Sequence, residues 1–182
     1  MLKNSLIIIA TLFFSIFAHA EAVNERCLQI QSALRGEVGK VSCVSEKVLL
    51  ADQPTNNAFK KLADTGFKTV INLRTDKEGA DLEAEHKSVE QAGMKYIQIP
   101  IDSNNPLDSD AEAFIKAAKQ ETANPTFIHC GSANRAAAMW MIYSVVKEGE
   151  DKKAALAIAE KAGLKSEVMR KFAERYINEH KK

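Results

Sequence analysis

From residue 48 onward the apolar positions follow two rhythms that take turns. Val48 to Ala51, Thr69 to Leu73, Tyr96 to Ile101 and Thr126 to Ile128 are short runs rich in β-branched and aromatic residues, the pattern of strands. Between them lie longer stretches with helix punctuation. Pro54-Thr55 opens a helix through Phe59, Leu62 and Ala63 that stops at Gly66, a polar helix runs from about Ala80 to Ala92 and ends at Gly93, and a third spans about Asp108 to Glu121 before Pro125. Residues 134–147, 151–161 and 166–179 also read as helices. Near the other end, Asn24 to Leu34 is a short, weakly amphipathic helix broken by Gly36 and Gly39.

Strands that alternate with helices of ten or more residues need crossover connections. The pattern therefore predicts an α/β fold in three layers, a mostly parallel sheet of four to five strands flanked by helices. In such sheets ligands bind outside the carboxyl ends of the strands, and Arg74, Asp102 and Cys130 each follow a different strand at that edge.

The first residues carry a different signal. Lys3 supplies a positive start, Ser5 to Phe17 an apolar stretch, and Ala18-His19-Ala20 a small-residue cleavage signature, so residues 1–20 read as a signal peptide and 21–182 as a single domain. An uncleaved anchor is the alternative, but an apolar stretch of roughly 13 residues falls short of the roughly 20 that a spanning helix needs. The expectation is a periplasmic or secreted protein without stable membrane insertion. Removing residues 1–20 takes away one lysine and no acid, so 25 basic against 24 acidic residues become 24 against 24. That neutrality argues against nucleic acid as a partner.

Three cysteines leave one over if two pair. Cys27 and Cys43 are the natural pair in an oxidising compartment, with two buried free thiols as the alternative. Cys130 stands apart in His129-Cys130-Gly131-Ser132-Ala133-Asn134-Arg135, between a strand and an Ala-rich helix. A thiol there meets the backbone N–H groups of residues 131–135 and the positive end of the helix dipole, and Arg135 adds a cation, so the thiolate is favoured. This is an anion cradle around a nucleophile.

Each part of a phosphoryl-transfer site has a candidate. Cys130 is the nucleophile, Gly131, Ser132, Ala133 and Asn134 supply oxyanion donors, and Arg135 has the planar fork that can hold two oxygens. Gly131 is expected to let the backbone curl. Asp102 is the first choice of general acid, with Asp108 and Asp110 as rivals that also suit helix capping. Arg74 can position an anionic substrate or form a surface ion pair, and His129 is expected to be buried and to orient the loop. The charges of residues 76–90 look like a solvated helix face. No His and carboxylate cluster has metal-ligand spacing, so neither metal nor cofactor is expected.

These residues resemble the cysteine-dependent tyrosine and dual-specificity phosphatases, and among them the bacterial phosphatase-like domains related to beta-lactamase-hydrolase-like proteins. The resemblance covers roughly residues 48–147 through Asp52-Gln53-Pro54-Thr55, Gly66 to Arg74, Gly93 to Tyr96, Ile99 to Asp102 and His129 to Arg135. It implies the phosphatase-like α/β fold, Cys130 as nucleophile, Arg135 on phosphate and Asp102 as acid. Two departures matter. Cys130 and Arg135 enclose four residues where the signature has five, the loop size of rhodanese-like sulfurtransferases, a shorter loop that the bacterial subgroup is similar in carrying. Ala136 stands where a hydroxyl usually assists breakdown of the phosphocysteine, so slow turnover is expected unless Ser132 or Asn134 substitutes. Three readings follow: a phosphomonoester hydrolase, possible substrates including protein phosphotyrosine; a persulfide sulfurtransferase; and a non-catalytic module that binds an anion or a protein partner.

Overall fold

The computed structural model describes residues 24–181. Two compact units divide between Ala33 and Leu34. In the first, the described residues form helix α1 (24–33). The expected signal peptide lies outside the described residues. The second unit contains every other described element: β1 (Val41–Cys43), β2 (Val48–Ala51), α2 (Asn56–Asp64), β3 (Thr69–Asn72), a one-turn 3₁₀ helix (Asp76–Glu78), α3 (Leu82–Gln91), β4 (Lys95–Gln98), α4 (Asp108–Glu121), β5 (Thr126–His129), α5 (Asn134–Val146), α6 (Lys152–Ala162) and α7 (Glu167–His180). Among the described residues no helix is long and apolar enough to cross a membrane.

The five strands form one sheet in the order β1-β2-β5-β3-β4. Strands β2, β5, β3 and β4 run parallel, and β1 adds an antiparallel edge. The α/β fold with a mostly parallel sheet is the one the alternation predicts. The motif strand β5 sits in the middle, in register with β2 and β3 on either side: Ile128 lies opposite Leu50 and Ile71. Central parallel strands are covered on both faces, which is why all four residues of β2, β3 and β5 are buried.

The side-chain alternation of the strands divides the core. Val48, Leu50, Ile71 and Ile128 join a large apolar cluster with Phe114 of α4, the whole of α5 from Ala136 to Tyr143, and Phe172 and Ile177 of α7. Leu49, Val70 and Phe127 alternate to the other face, where α2 and α3 pack together and bury Phe59, Leu62 and Val89. Helix α5 is buried all round from Arg135 to Val145, which accounts for its unbroken apolar composition. This central helix follows directly from the cysteine loop, so the loop is held by a helix buried on every side.

One strand was not expected, and one ends well short of its expected bound. The three residues of β1 are half-buried and too short to give a periodic signal. β4 ends at Gln98, short of Ile101: Pro100 has no N–H to donate, although Ile99 N–H still reaches Asn72 O at 2.9 Å and Ile101 N–H reaches Leu73 O at 3.3 Å.

Candidate active site

Cys130 follows β5 directly and is fully buried; its N–H donates to Ala51 O at 3.3 Å across the sheet. It is the free cysteine among the described residues, whereas Cys27 and Cys43 are both disulfide-bonded. Residues 131–133 then turn the chain into α5. The left-handed residue of this turn is Ala133, at φ 65°, and not Gly131, which has no positive φ. Ala133 is the N-cap of α5 and carries no capping side chain, so the helix start is open toward the loop. Gly163 braces the turn from behind: a methyl group there would come within 2.8 Å of Ala133 Cβ.

Two polar neighbours fix the loop from the sides. Ser132 forms an antiparallel bridge with Asp52, just after β2. Asn134 Oδ1 accepts from the N–H groups of Lys165 and Ser166, both at 2.6 Å, which ties the first residue of α5 to the α6–α7 connection. Its Nδ2 donates to Ser132 Oγ at 3.2 Å. Asn134 is thus committed to holding the loop, and of the two stand-ins for the hydroxyl absent at buried Ala136, Ser132 is the one left.

Arg135 is buried, and its anchors come from the carboxyl ends of two strands. Nη1 donates to Leu73 O beyond β3 and Ile101 O beyond β4, both at 3.0 Å. Glu78, from the 3₁₀ turn after β3, accepts from Nη1 at 2.5 Å and Nη2 at 2.6 Å. The same carboxylate accepts from Thr75 N–H at 2.8 Å, Thr75 Oγ1 at 3.0 Å and Arg74 Nε at 3.3 Å. Burial pushes Glu78 up, but the Arg135 fork and the Thr75 bonds outweigh it and hold the carboxyl at about 2. Burial likewise pulls Arg135 down, and the Glu78 carboxylate and the Cys130 sulfur together raise it above the usual guanidinium range.

Arg74 is not a surface ion pair, for its side chain is only 11% exposed. Nη1 donates to Gln53 Oε1 at 2.6 Å and Nη2 to Glu78 O at 2.9 Å. Its Nε lies 3.9 Å from where a Gly131 Cβ would be, with Glu78 Oε2 and Arg135 Nη2 each at 3.6 Å from the same point. Two guanidinium groups and one carboxylate therefore meet over the first residue of the loop.

The three acid candidates separate. Asp102 is exposed, follows the Ile101 carbonyl that Arg135 holds, and accepts from Asn104 N–H at 2.9 Å in its own turn. Asp108 is bound to Arg175 of α7, whose guanidinium lowers its carboxyl below the ordinary range. Asp110 accepts from Leu107 N–H at 2.9 Å and closes the start of α4. Asp108 and Asp110 thus have structural partners, and of the three Asp102 is the one that adjoins a residue holding Arg135.

His129 is fully buried, as expected. Its Nε2 stands 3.2 Å from Glu85 Oε1 but off the hydrogen-bond line, and neither ring nitrogen has a hydrogen-bond partner. Burial pushes Glu85 up, and the neighbouring His129 ring, Gln53 and Tyr96 outweigh it, so this carboxyl lies below the ordinary range. The expectation of a solvated face over residues 76–90 fails at two places: Glu78 holds Arg135, and Glu85 is 2% exposed. One face of α3 is solvated, and the other carries the Glu85 charge into the core beside Val89. Among the described residues no group of three or more His, Cys, Asp or Glu side chains is gathered as metal ligands would be.

Comparisons with known proteins supply a family and a fold. The chain is 27% identical over 110 residues to a beta-lactamase hydrolase-like protein of Xylella fastidiosa and 32% identical over 102 residues to one of Agrobacterium fabrum, matches covering 59% and 54% of the chain. It spans only about a quarter of the length of those relatives, 25% and 23%. A DUF442 protein structure from Shewanella putrefaciens superposes with a TM-score of 0.71 at 25% identity, covering 84% of this chain and 99% of that one. The phosphotyrosine complex of TpbA from P. aeruginosa gives 0.60 at 20% identity, over 76% and 82% of the two chains, a likeness of fold. The family described as DSP-PTPase phosphatase fused to NAD+ kinase matches residues 24–178, and to that family the chain belongs.

Proposed function

We propose that the protein is a cysteine-dependent phosphatase that hydrolyses phosphomonoesters through a phosphocysteine intermediate. The observation that carries this reading is the anchoring of Arg135: a buried guanidinium held by Leu73 O, Ile101 O and Glu78 beside the Cys130 loop. A cation fixed before the substrate arrives needs no reorganisation as charge develops on the transferring phosphoryl group.

In the first step the Cys130 thiolate attacks phosphorus, the ester P–O bond breaks, and Asp102 protonates the leaving oxygen. In the second, water attacks the phosphocysteine, Asp102 takes its proton, the P–S bond breaks and the thiolate is restored. The phosphoryl oxygens are received by the N–H groups of residues 131–135 and by Arg135. Because Cys130 is fully buried, the first step also requires a motion of the loop mouth that uncovers Sγ. Phosphotyrosine, the ligand in the TpbA complex, is the first substrate to try. Export to the periplasm or beyond, resting on residues 1–20, completes the proposal.

A specific observation supports the sulfurtransferase alternative: the four-residue interval between Cys130 and Arg135. One panel separates the readings. The phosphatase reading expects aryl phosphate hydrolysis that is lost in Cys130→Ser and strongly reduced in Asp102→Asn. Sulfur transfer from thiosulfate to cyanide without phosphate release contradicts it. Tight binding of inorganic phosphate with neither activity favours the non-catalytic module.

A further inference from the structure

Glu85 has no part in the chemistry proposed above, yet four side chains converge on it in the core. Oε1 accepts from Asn72 Nδ2 at 2.5 Å and Tyr96 OH at 3.1 Å, and lies 3.2 Å from His129 Nε2. Oε2 accepts from Gln53 Nε2 at 2.7 Å. Gln53 then reaches outward, because its Oε1 accepts from Arg74 Nη1 at 2.6 Å while Nε2 also donates to Pro54 O at 3.1 Å. A continuous line thus runs from a carboxylate at 2% exposure to a guanidinium over the cysteine loop.

The direction of that line follows from chemistry. A carboxylate only accepts and a guanidinium only donates, so an amide lying between them satisfies both in one orientation alone: NH₂ toward Glu85 and oxygen toward Arg74. Were residue 85 a neutral amide, it could turn its own NH₂ toward Gln53. Two donors would then meet, or Gln53 would flip and present its NH₂ to Arg74, leaving a largely buried guanidinium without that acceptor.

We propose that Glu85 is a positioning residue for substrate binding: acting through Gln53, it holds Arg74 at the mouth of the Cys130 loop, where Arg74 receives an anionic oxygen of the phosphoester. This rests on reading residues 130–135 as an anion site. Neither Glu85 nor Gln53 bonds to Cys130, Arg135 or Asp102; the line meets Arg135 only at its end, where Arg74 and Arg135 share Glu78 Oε2 and both face the anion, so its loss acts on binding. Any effect that Glu85 exerts through His129, the neighbour of Cys130 in the chain, appears instead in kcat.

The test measures KM and kcat for an aryl phosphate, and the dissociation constant of inorganic phosphate by calorimetry, in the full chain. Glu85→Gln is expected to raise KM and weaken phosphate binding about ten-fold, the size of one hydrogen bond to a charged group. Gln53→Met, which leaves the contacts of Glu85 with Asn72 and Tyr96 in place, is expected to do the same and keeps the test valid if Glu85→Gln does not fold. Arg74→Ala is expected to weaken binding at least as much, and adding Glu85→Gln or Gln53→Met to it to weaken binding no further. Folded variants with unchanged phosphate affinity, or losses that add to that of Arg74→Ala, overturn the proposal. Wild-type binding of phosphate without hydrolysis overturns the phosphatase reading alone, since the binding series still decides the role of Glu85. Wild-type failure to bind phosphate overturns the anion site and this proposal with it.

Discussion

Glu78 holds Arg135 by both carboxylate oxygens, Oε1 on Nη1 at 2.5 Å and Oε2 on Nη2 at 2.6 Å, from a single turn of 3₁₀ helix two strands away in the sequence. The pair orients the guanidinium while Leu73 O and Ile101 O support it from below. Removing the carboxylate charge leaves the two carbonyl anchors. Glu78→Gln should therefore reduce kcat/KM for an aryl phosphate by about 10- to 100-fold, less than Arg135→Ala, which removes the cation itself and should cost about 1000-fold or more. Steady-state kinetics of the two variants checks the order.

The same carboxylate makes stability depend on acid. The Arg135 guanidinium and the Thr75 bonds hold this carboxyl at about 2 in the folded protein, well below the ordinary 4.5, so the folded state favours the ionised form. The stabilisation is present in full above about pH 4.5 and is lost as pH falls toward about 2. Glu78→Gln should remove this share, so that denaturation midpoints of wild type and variant converge as pH is lowered through that window. A constant difference between them from neutrality to about pH 2 counts against the ion pair.

Gly163 should tolerate a methyl group poorly. Its φ is +130°, and the added carbon would lie 2.8 Å from Ala133 Cβ at the turn of the cysteine loop. Gly149, at φ +75°, has nothing within 4 Å of that position. Both substitutions carry backbone strain, but only Gly163→Ala adds overpacking, which costs on the order of 1–3 kcal/mol. Thermal denaturation should rank Gly163→Ala well below Gly149→Ala, and phosphate binding should weaken only in the former.

Asn134 offers a separate check on how the loop is tied to the rest of the unit. Asn134→Ala removes the acceptor for the Lys165 and Ser166 N–H groups, each at 2.6 Å. A loss of about 1–3 kcal/mol is expected in denaturant unfolding, with faster amide exchange at those two residues.

The alternation of strands and helices was legible because the parallel sheet buries whole strands and the crossovers are long helices with proline, glycine and aspartate at their ends. The cysteine loop was legible for a related reason: its residues are contiguous. What escaped notice comes from elsewhere in the chain. Glu78 sits among residues that carry an ordinary density of charge, and nothing local distinguishes the carboxylate that meets Arg135 from its solvated neighbours. Glu85 had a weak signal, since it falls four residues before buried Val89 and so shares the inward face of α3. A charged residue on an apolar face asks for a partner. Gln53, beside Asp52 in the loop after β2, could be given its role only once β2, β3 and α3 had been brought together. The edge strand β1 went unread because three half-buried residues carry no period.

The central claim is that Cys130 takes the phosphoryl group from the substrate, and with no hydroxyl at Ala136 its breakdown is expected to be slow enough to trap. Rapid mixing with an aryl phosphate, followed by acid quench and peptide mass spectrometry, reads this directly. The account predicts a burst of phenol release matched by one phosphoryl group on the peptide that contains Cys130, and neither in Cys130→Ser. Phenol release without a phosphorylated Cys130, or a sulfur atom added to that cysteine in place of phosphorus after incubation with thiosulfate, would contradict it.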